Sequence, residues 1–286
     1  MRQSLTGGMV MLSEMKESLP PSEKKIAIFI LEHPHEAIHC TAAQLGELSH
    51  TSSAAVMRLC KSLGLKGLQE LKLRISGDLQ KEATSAYRDI QPGEETDAIV
   101  DKVTNNNIQA IRETTELVDY EGLQKAATAL AGADRLHFFG VGASGIIAQD
   151  AQQKFLRMNI ATSAFTDVHN AVMNIANIDE KDVLIGISFS GETKETSLVM
   201  EEAKKRGATT ISITRYGQNT VASFADIPLY ISASREIPAP FRSGATSSRM
   251  AQLHMIDLLF VKVVTAHFDE ASGYFEQIQD IMKRLK

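Results

Sequence analysis

Two short apolar segments of the chain each lead directly into a turn of glycine and hydroxyl residues. RLHFF is followed by GVGASG, Gly140 to Gly145, and DVLIGI is followed by SFSGET, Ser188 to Thr193. An apolar run that ends in such a turn and continues as a helical pattern is typical of a buried strand in a βαβ unit. Because the carboxyl ends of parallel strands lie at one sheet edge, we expect both turns at that edge.

Three further β-rich runs extend this pattern. They are ATSAF, TTISIT and IPLYIS, with helical stretches between the first four strands and a short segment before the last. Two helices, over 96–118 and 120–131, precede the first strand, and two more, over 246–267 and 269–285, close the chain. We therefore predict an α/β domain over 96–286, with a parallel sheet and flanking helices in three layers of the flavodoxin type.

Residues 1–82 show helical patterns without a β-rich run. One apolar helix ends at His33–Pro34, Thr41 caps TAAQLGEL, Ser52 caps SSAAVMRLCKSL, and a further helix is LQELKLRISGDL. A polar segment with a Pro-Gly pair, 83–95, reads as a linker. The predicted fold class is thus an all-α helix-turn-helix bundle followed by the α/β domain.

The segment 41–63 has the pattern of a helix-turn-helix. A break at Ser49–His50–Thr51 separates a short helix from a second one whose first residues would lie at base edges in a major groove. His50 fills a turn position where glycine is common. The alternative is a helical bundle that carries a basic face without binding DNA.

Charge favours DNA binding by this segment. The chain has a net charge of −5, but residues 1–81 carry net +2, and residues 50–75 hold five basic residues against Glu70 alone. A local basic face on an acidic protein suits a small DNA-binding module. The predicted contacts with double-stranded operator DNA are Ser52, Ser53, Ala54, Met57, Arg58, Lys61 and Lys66.

The two glycine-rich turns are suited to an anionic ligand. Each exposes backbone N–H groups at a helix N-terminus, where negative charge is stabilised. Hydroxyl groups add donors that hold phosphate oxygens without adding positive charge. Taken singly, either turn has a plain helix cap as its alternative, but two such turns at one sheet edge favour a phosphate site.

A dinucleotide site is the rival interpretation. GVGASG matches G-x-G-x-x-G, and Asp167 ends the following strand where a ribose-binding acid belongs. That interpretation gives SFSGET no role, and it does not explain the two helices before the first strand.

The sequence resembles RpiR-type transcriptional regulators over nearly its whole length. Ser22 to Ile75 carries LGELSHTSSAAVMRLCKSLGLKGLQELK in the pattern of their N-terminal domain, with Ala55 where that pattern usually has Thr. Residues 120–267 resemble a sugar isomerase (SIS) domain through GVGASG, SFSGETKET and SSRMAQLHMIDLLF. The resemblance implies a sugar-phosphate effector and a role in transcription regulation of carbohydrate metabolism. N-acetylmuramic acid 6-phosphate is a plausible effector on this basis.

The expected effector site combines both turns with two residues near the sugar. His169 follows the strand ATSAF, and Glu236 precedes the closing helix. The predicted effector-binding residues are Gly142, Ser144, Ser188, Ser190, Gly191, Thr193, His169 and Glu236.

Catalysis is the alternative to sensing. A sugar-phosphate isomerase needs a base to move a proton between adjacent carbons. The candidates are Glu192, His169, Glu236 and His254, and no pair among them stands out. We therefore predict no catalytic residues and no enzyme, with an aldose–ketose isomerase as the alternative.

The remaining expectations concern cofactors, compartment and assembly. Cys40 and Cys60 are the only cysteines, so neither a metal site nor a disulfide framework is implied, and no cofactor is expected. No apolar run approaches the ~20 residues of a membrane span, and we predict a cytoplasmic protein. A specific operator usually needs paired helix-turn-helix modules, which predicts a homodimer or homotetramer assembled through the terminal helices or the helix at 96–118.

Overall fold

A computed structural model describes residues 6–80, 90, 92–232 and 246–284 of the chain. Packing divides the chain into two units, residues 1–118 with 232–247 and residues 119–231 with 248–286. The helix at Thr96–Leu117 groups with the first unit, whereas the sequence analysis assigns it to the second domain. Most of the linker at 83–95 lies outside the described residues, so the boundary there stays a prediction.

The described residues of the first unit are helical, as predicted. The helices are α1 (Gly8–Met15), α2 (Pro21–Glu32), α3 (Pro34–Ala37), α4 (Ala42–Leu48), α5 (Ser53–Ser62), α6 (Leu68–Leu79) and α7 (Thr96–Leu117). Their buried faces supply a core that includes Leu12, Ile26, Leu45, Leu59 and Leu71. Burial of such aliphatic side chains is the main force that holds short helices together.

Side-chain caps explain why α4 and α5 begin where they do. The Thr41 hydroxyl accepts a hydrogen bond from the Gln44 backbone N–H (3.3 Å), and the Gln44 side chain accepts one from the Thr41 backbone N–H (2.8 Å). The Ser52 hydroxyl accepts a hydrogen bond from the Ala55 backbone N–H at 3.3 Å. Both predicted caps are confirmed, and each satisfies N–H groups that a helix start leaves without an intrahelical partner.

The turn between α4 and α5 is tight. His50 adopts the left-handed backbone conformation (φ 53°), which is uncommon for a residue other than glycine. A Cβ atom on Gly46 would lie 2.8 Å from the Ser52 carbonyl carbon, so the two helices cross closely there because Gly46 has no side chain. The helix-turn-helix geometry predicted from the sequence is present.

The second unit contains a five-stranded parallel sheet in its described residues, in the order β2-β1-β3-β4-β5. The strands are β1 (Arg135–Gly140), β2 (Ala161–Phe165), β3 (Asp182–Ile187), β4 (Thr209–Arg215) and β5 (Ile227–Ile231). The helices are α8 (Tyr120–Gly132), α9 (Ala143–Phe155), α10 (Val168–Ile175), α11 (Lys194–Lys205), α12 (Thr220–Ser223), α13 (Ser247–Ala266) and α14 (Phe268–Lys283). This order is that of flavodoxin-type sheets and confirms the predicted α/β class.

The strand order places the two glycine-rich turns side by side. After β1 the chain continues to β2, which pairs with one edge of β1, whereas β3 pairs with the other edge. In the pairing of β1 with β3, Gly140 is aligned with Ile187. Ligands of open parallel sheets bind at the carboxyl ends of strands where the order reverses in this way.

Among the helices of the described residues, no single one is long and apolar enough to cross a membrane. Only α13 and α14 taken together have the length and composition of a membrane span, and the two helices are bent by 106° relative to each other.

A polar cluster around the buried Asp182 lies at the opposite, amino-terminal end of β1 and β3. The Arg135 guanidinium binds the Asp182 carboxylate through Nε–Oδ1 (2.8 Å) and Nη2–Oδ2 (2.6 Å), and Asp182 is only 1% exposed. The buried His137 ring contacts the Ser163 hydroxyl through Nδ1 at 2.8 Å. Burial lowers the pKa of His137. The Asp182 carboxylate raises this pKa and the Arg135 guanidinium lowers it, and the net shift is downward.

The stability of the folded protein should therefore depend on pH through His137. Its folded pKa is below the usual value of about 6.5, so the unfolded chain takes up the proton first as the pH falls. Stability contributed by neutral His137 is present above about pH 6.5 and is lost below it. We expect the free energy of unfolding, measured by urea denaturation at several pH values, to fall less steeply below that pH in His137→Gln.

Two other histidines matter for this test: one provides a control, and the other should leave some pH dependence of the unfolding free energy in His137→Gln. His169→Gln, at an exposed position, is the matched control. Burial also lowers the pKa of His254, so some pH dependence should remain in His137→Gln. Equal slopes in the His137 variant and the wild type would contradict the assignment.

Candidate functional site

The first turn opens α9 directly after β1. Gly142 has φ 60° and ψ −123°, a conformation that suits glycine, and nothing lies within 4 Å of a Cβ built on it. The Ser144 side chain is buried, and its hydroxyl accepts a hydrogen bond from Gln252 Nε2 of α13 at 3.1 Å. The turn therefore has open space beside Gly142, while α13 fixes the Ser144 hydroxyl. Sequence reasoning did not identify Gln252, although it lies within the quoted SSRMAQLHMIDLLF.

The second turn opens α11 after β3. Ser188 is 2% exposed, and its hydroxyl lies 2.8 Å from Thr193 Oγ1 and accepts a hydrogen bond from the Gly191 N–H at 3.2 Å. Ser190 is exposed, and its hydroxyl accepts a hydrogen bond from the Glu192 N–H at 3.2 Å. Ser188 thus holds the turn together internally, whereas Ser190 presents its side chain at the surface.

Asn219 fixes the second turn from the adjacent strand end and was missed by sequence reasoning. Gly191 has φ 71°, and a Cβ on it would lie 2.2 Å from Asn219 Cγ. Asn219 is buried, and its amide donates to Thr214 Oγ1 at 3.0 Å while Val221 N–H donates to the Gly191 carbonyl at 2.8 Å. A polar residue shortly after β4, at the same sheet edge as both turns, is the signal that identifies it.

The four candidate bases differ in their surroundings. Glu192 accepts hydrogen bonds from the Thr220 N–H (3.2 Å) and hydroxyl (2.5 Å), so it caps the short helix α12. His169 is exposed in the first turn of α10, and His254 is partly buried on α13. Glu236 lies outside the described residues. Glu192, the candidate within the second turn, is thus engaged in a structural contact.

Asp167, the acidic residue that the dinucleotide interpretation requires, also has a hydrogen-bond partner within the protein. Asp167 caps α10 by accepting a hydrogen bond from the Asn170 N–H at 3.0 Å. Within the part of the chain that the structure describes, no group of three or more His, Cys, Asp or Glu side chains is arranged to hold a metal ion.

The residues predicted to contact DNA lie at the surface of the first unit. Met57 is 49% exposed, the Arg58 side chain is 57% exposed, and Lys61 and Lys66 are exposed. Val56, Leu59 and Cys60 form the buried face of the same helix, α5, and burial raises the pKa of the Cys60 thiol to about 11. Also exposed at the start of α5 are Ser52, Ser53 and Ala54.

Two of the five basic residues at 50–75 are only partly exposed and have internal partners. Lys72 Nζ donates to the Cys40 carbonyl at 3.1 Å, and Arg74 forms an ion pair with Glu70 at 3.1 Å. Burial raises the pKa of Glu70, but hydrogen bonds from the Lys66 backbone N–H and from Arg74 lower it more, so the net shift is downward. The exposed cations of residues 50–75, which are Arg58, Lys61 and Lys66, are therefore those predicted to contact DNA.

A buried carboxylate on α2 contacts Arg58. Glu23 is 4% exposed, and its Oε1 lies 3.7 Å from Arg58 Nε. Its Oε2 accepts a hydrogen bond from the Ser62 hydroxyl at 2.7 Å. Sequence reasoning missed Glu23, because an acidic residue in the first turn of a helix is usually read as favourable only for the helix dipole.

Comparisons with known proteins agree with this two-part architecture. The helix-turn-helix domain of the rpiR family matches residues 6–82, and the SIS domain matches residues 129–262. The chain is 47% identical to YbbH, an uncharacterized HTH-type transcriptional regulator of Bacillus subtilis strain 168, over 98% of this chain and 99% of YbbH. It is 40% identical to TTE0211, another regulator so named, of Caldanaerobacter subterraneus subsp. tengcongensis, over 99% of each chain.

A solved structure shares the fold. The Vibrio vulnificus NanR protein complexed with ManNAc-6P superposes with a TM-score of 0.61 at 23% identity, covering 98% of this chain and 99% of that one.

Proposed function

Because the chain belongs to the RpiR family of helix-turn-helix transcriptional regulators with a SIS domain, we propose that a phosphorylated sugar controls its affinity for operator DNA. The observation that carries the proposal is the pair of adjacent turns at the carboxyl ends of β1 and β3. Both turns open helices, α9 and α11, whose first N–H groups have no intrahelical partner. Two such helix N-termini form a site that attracts a phosphate without a basic side chain.

The hydroxyl groups of the two turns have different parts in this proposal. Ser190 and Thr193 donate to phosphate oxygens, and Ser144 does so from a position that Gln252 fixes. Ser188 shapes the turn, and Gly142 and Gly191 let the backbone approach the ligand. His169 and Glu236 are assigned to the sugar.

We propose an amino-sugar phosphate as the effector, such as N-acetylmuramic acid 6-phosphate. Support comes from the fold shared with a protein complexed with ManNAc-6P. We infer sensing rather than turnover, since Glu192 caps α12 and relatives that are 47% and 40% identical carry the names of transcriptional regulators.

A thermal-shift screen against a panel of sugar phosphates tests the proposal. An effector at 100 times its dissociation constant should stabilise the protein by about 2.7 kcal/mol. The effector should then change operator binding in a gel-shift assay. Rapid ketose–aldose turnover by the purified protein, or the lack of any stabilising sugar phosphate, would overturn it.

The DNA contacts are tested through the salt dependence of binding. Lys66 lies in the turn after α5, where its side chain can reach a phosphate. We expect Lys66→Ala to weaken binding to all sequences and to reduce the slope of log K against log salt by about 1 unit. Met57→Ala should instead change sequence preference. Wild-type affinity and slope in a Lys61→Ala/Lys66→Ala variant would refute this placement.

We further propose that the protein acts as a homodimer or homotetramer. Paired helix-turn-helix modules read two half-sites about one helical turn apart, so the operator should be roughly palindromic. Exposed apolar residues on α14, among them Phe268 (64%) and Ile281 (60%), support a contact through this helix. Light scattering at micromolar concentration should give at least a dimer. A monomer that still binds its operator tightly would exclude this assembly.

A further inference from the structure

An open depression lies between α2 and the start of α5 on the first unit. Its volume is about 530 Å³. The polar side chains that line it come from α2, from the turn after α4 and from α5. They are Ser22, Lys25, His50, Thr51, Ser52 and Arg58.

The residues that line the depression give it a cationic character. Two of its lining residues, Lys25 and Arg58, are cations, His50 adds an imidazole, and none of the residues that line it is acidic. Hydroxyl groups supply further donors of the kind that contact DNA phosphates. Glu23, the nearby carboxylate, is buried and already contacts Arg58 and Ser62.

The position of Arg58 connects the depression to the helix predicted to read bases. At about 100° per residue, Ser53, Met57 and Lys61 share the outward face of α5, and Arg58 lies at the edge of that face nearest α2. The ion pair with Glu23 engages Arg58 Nε and holds it toward α2, while 57% of the side chain stays exposed. Arg58 is therefore better placed to contact the phosphate backbone beside the DNA major groove than the base edges inside it.

We propose that this depression binds a backbone phosphate of the DNA strand that borders the major groove. Lys25, His50 and Arg58 contact the phosphate, and Glu23 positions Arg58. When a helix lies in a major groove, the two phosphate backbones run along its sides, so a cationic depression beside α5 meets one of them. The inference rests on the proposed placement of α5 in the groove, and it adds α2 to the DNA interface.

Two adjacent lysines on α2 provide a matched test. Lys25 lines the depression, whereas Lys24 is bound to Glu17 (Nζ–Oε2 2.5 Å) and does not line it. Alanine at either position removes one positive charge from the same helix, so long-range electrostatic effects are the same. Binding of the full chain is measured by fluorescence anisotropy at several salt concentrations. A mixed-sequence duplex of about 30 base pairs suffices as the probe, because phosphate contacts do not depend on sequence.

We expect Lys25→Ala to lower the salt slope and Lys24→Ala to leave it unchanged. A Lys25→Ala/Arg58→Ala variant should lower the slope by about 0.9, the contribution of the one phosphate that both cations contact. Unchanged thermal unfolding of Lys25→Ala shows that the fold is intact. Equal slopes in the Lys24 and Lys25 variants overturn the phosphate site, provided that Lys61→Ala/Lys66→Ala still weakens binding. If Lys61→Ala/Lys66→Ala does not weaken binding, the proposed placement of α5 in the major groove is itself wrong.

Discussion

Replacing Gly191 with alanine should destabilise the protein by roughly 2–6 kcal/mol and abolish effector binding. Gly191 has φ 71°, a conformation in which an L-residue is strained, and its new Cβ would lie 2.2 Å from Asn219 Cγ. Asn219 has little room to move, because its side-chain amide donates to Thr214 Oγ1 at 3.0 Å and its Oδ1 accepts from the Ala222 N–H at 2.9 Å. The clash therefore has to be relieved by moving the turn that we assign to the phosphate.

Gly142→Ala is the control that separates backbone strain from the clash. Gly142 also has a positive φ, of 60°, but nothing lies within 4 Å of its Cβ position. We expect about 1–3 kcal/mol of destabilisation there, from backbone strain alone. Urea denaturation measures both values. If Gly191→Ala proves no less stable than Gly142→Ala, the close contact with Asn219 does not constrain this turn.

Removing the hydroxyls of Ser144 and Ser190 together should leave the protein nearly unresponsive to its effector. Each hydroxyl that donates to a charged phosphate contributes about 1.5–3 kcal/mol, so the pair should raise the effector Kd at least about 100-fold. Ser190 is exposed at the second turn, and Ser144 lies in the first turn of α9. Isothermal titration with a sugar phosphate identified by the thermal-shift screen gives the Kd.

Operator binding without effector should be unchanged in this double variant. Ser223→Ala, which removes an exposed hydroxyl from α12, is the control for the loss of a serine near the sheet edge. An effector response of wild-type strength in Ser144→Ala/Ser190→Ala would disprove the phosphate assignment of the two turns.

The regulatory effect depends on a difference between two states of the protein. An effector that binds the DNA-competent and DNA-incompetent arrangements equally shifts neither population. A coupling free energy of ~1–3 kcal/mol would change operator affinity by about 5- to 150-fold. The ratio of the effector Kd values measured with and without operator DNA should equal the factor by which the effector changes operator affinity, because the coupling is reciprocal.

The sequence by itself determined the elements and their chemistry. Apolar runs, helix caps and glycine-rich turns are local signals, so the five strands, the capped helices α4 and α5, and the two glycine-rich turns after β1 and β3 were predicted from neighbouring residues alone. The residues predicted to contact DNA from α5 likewise lie at the surface in the structure. Similarity of the motifs to RpiR-type regulators then indicated the function.

Only the tertiary structure decided which distant residues complete these features. Asn219 behind Gly191, Gln252 against Ser144 and Glu23 beside Arg58 are separated from their partners by 28, 108 and 35 positions along the chain. The adjacency of β1 and β3 likewise follows from strand order and not from any local pattern. Helix and strand patterns report which face of an element is buried, but they do not specify which other element covers that face. That choice depends on how all the elements pack together, and so it was visible only in the folded chain.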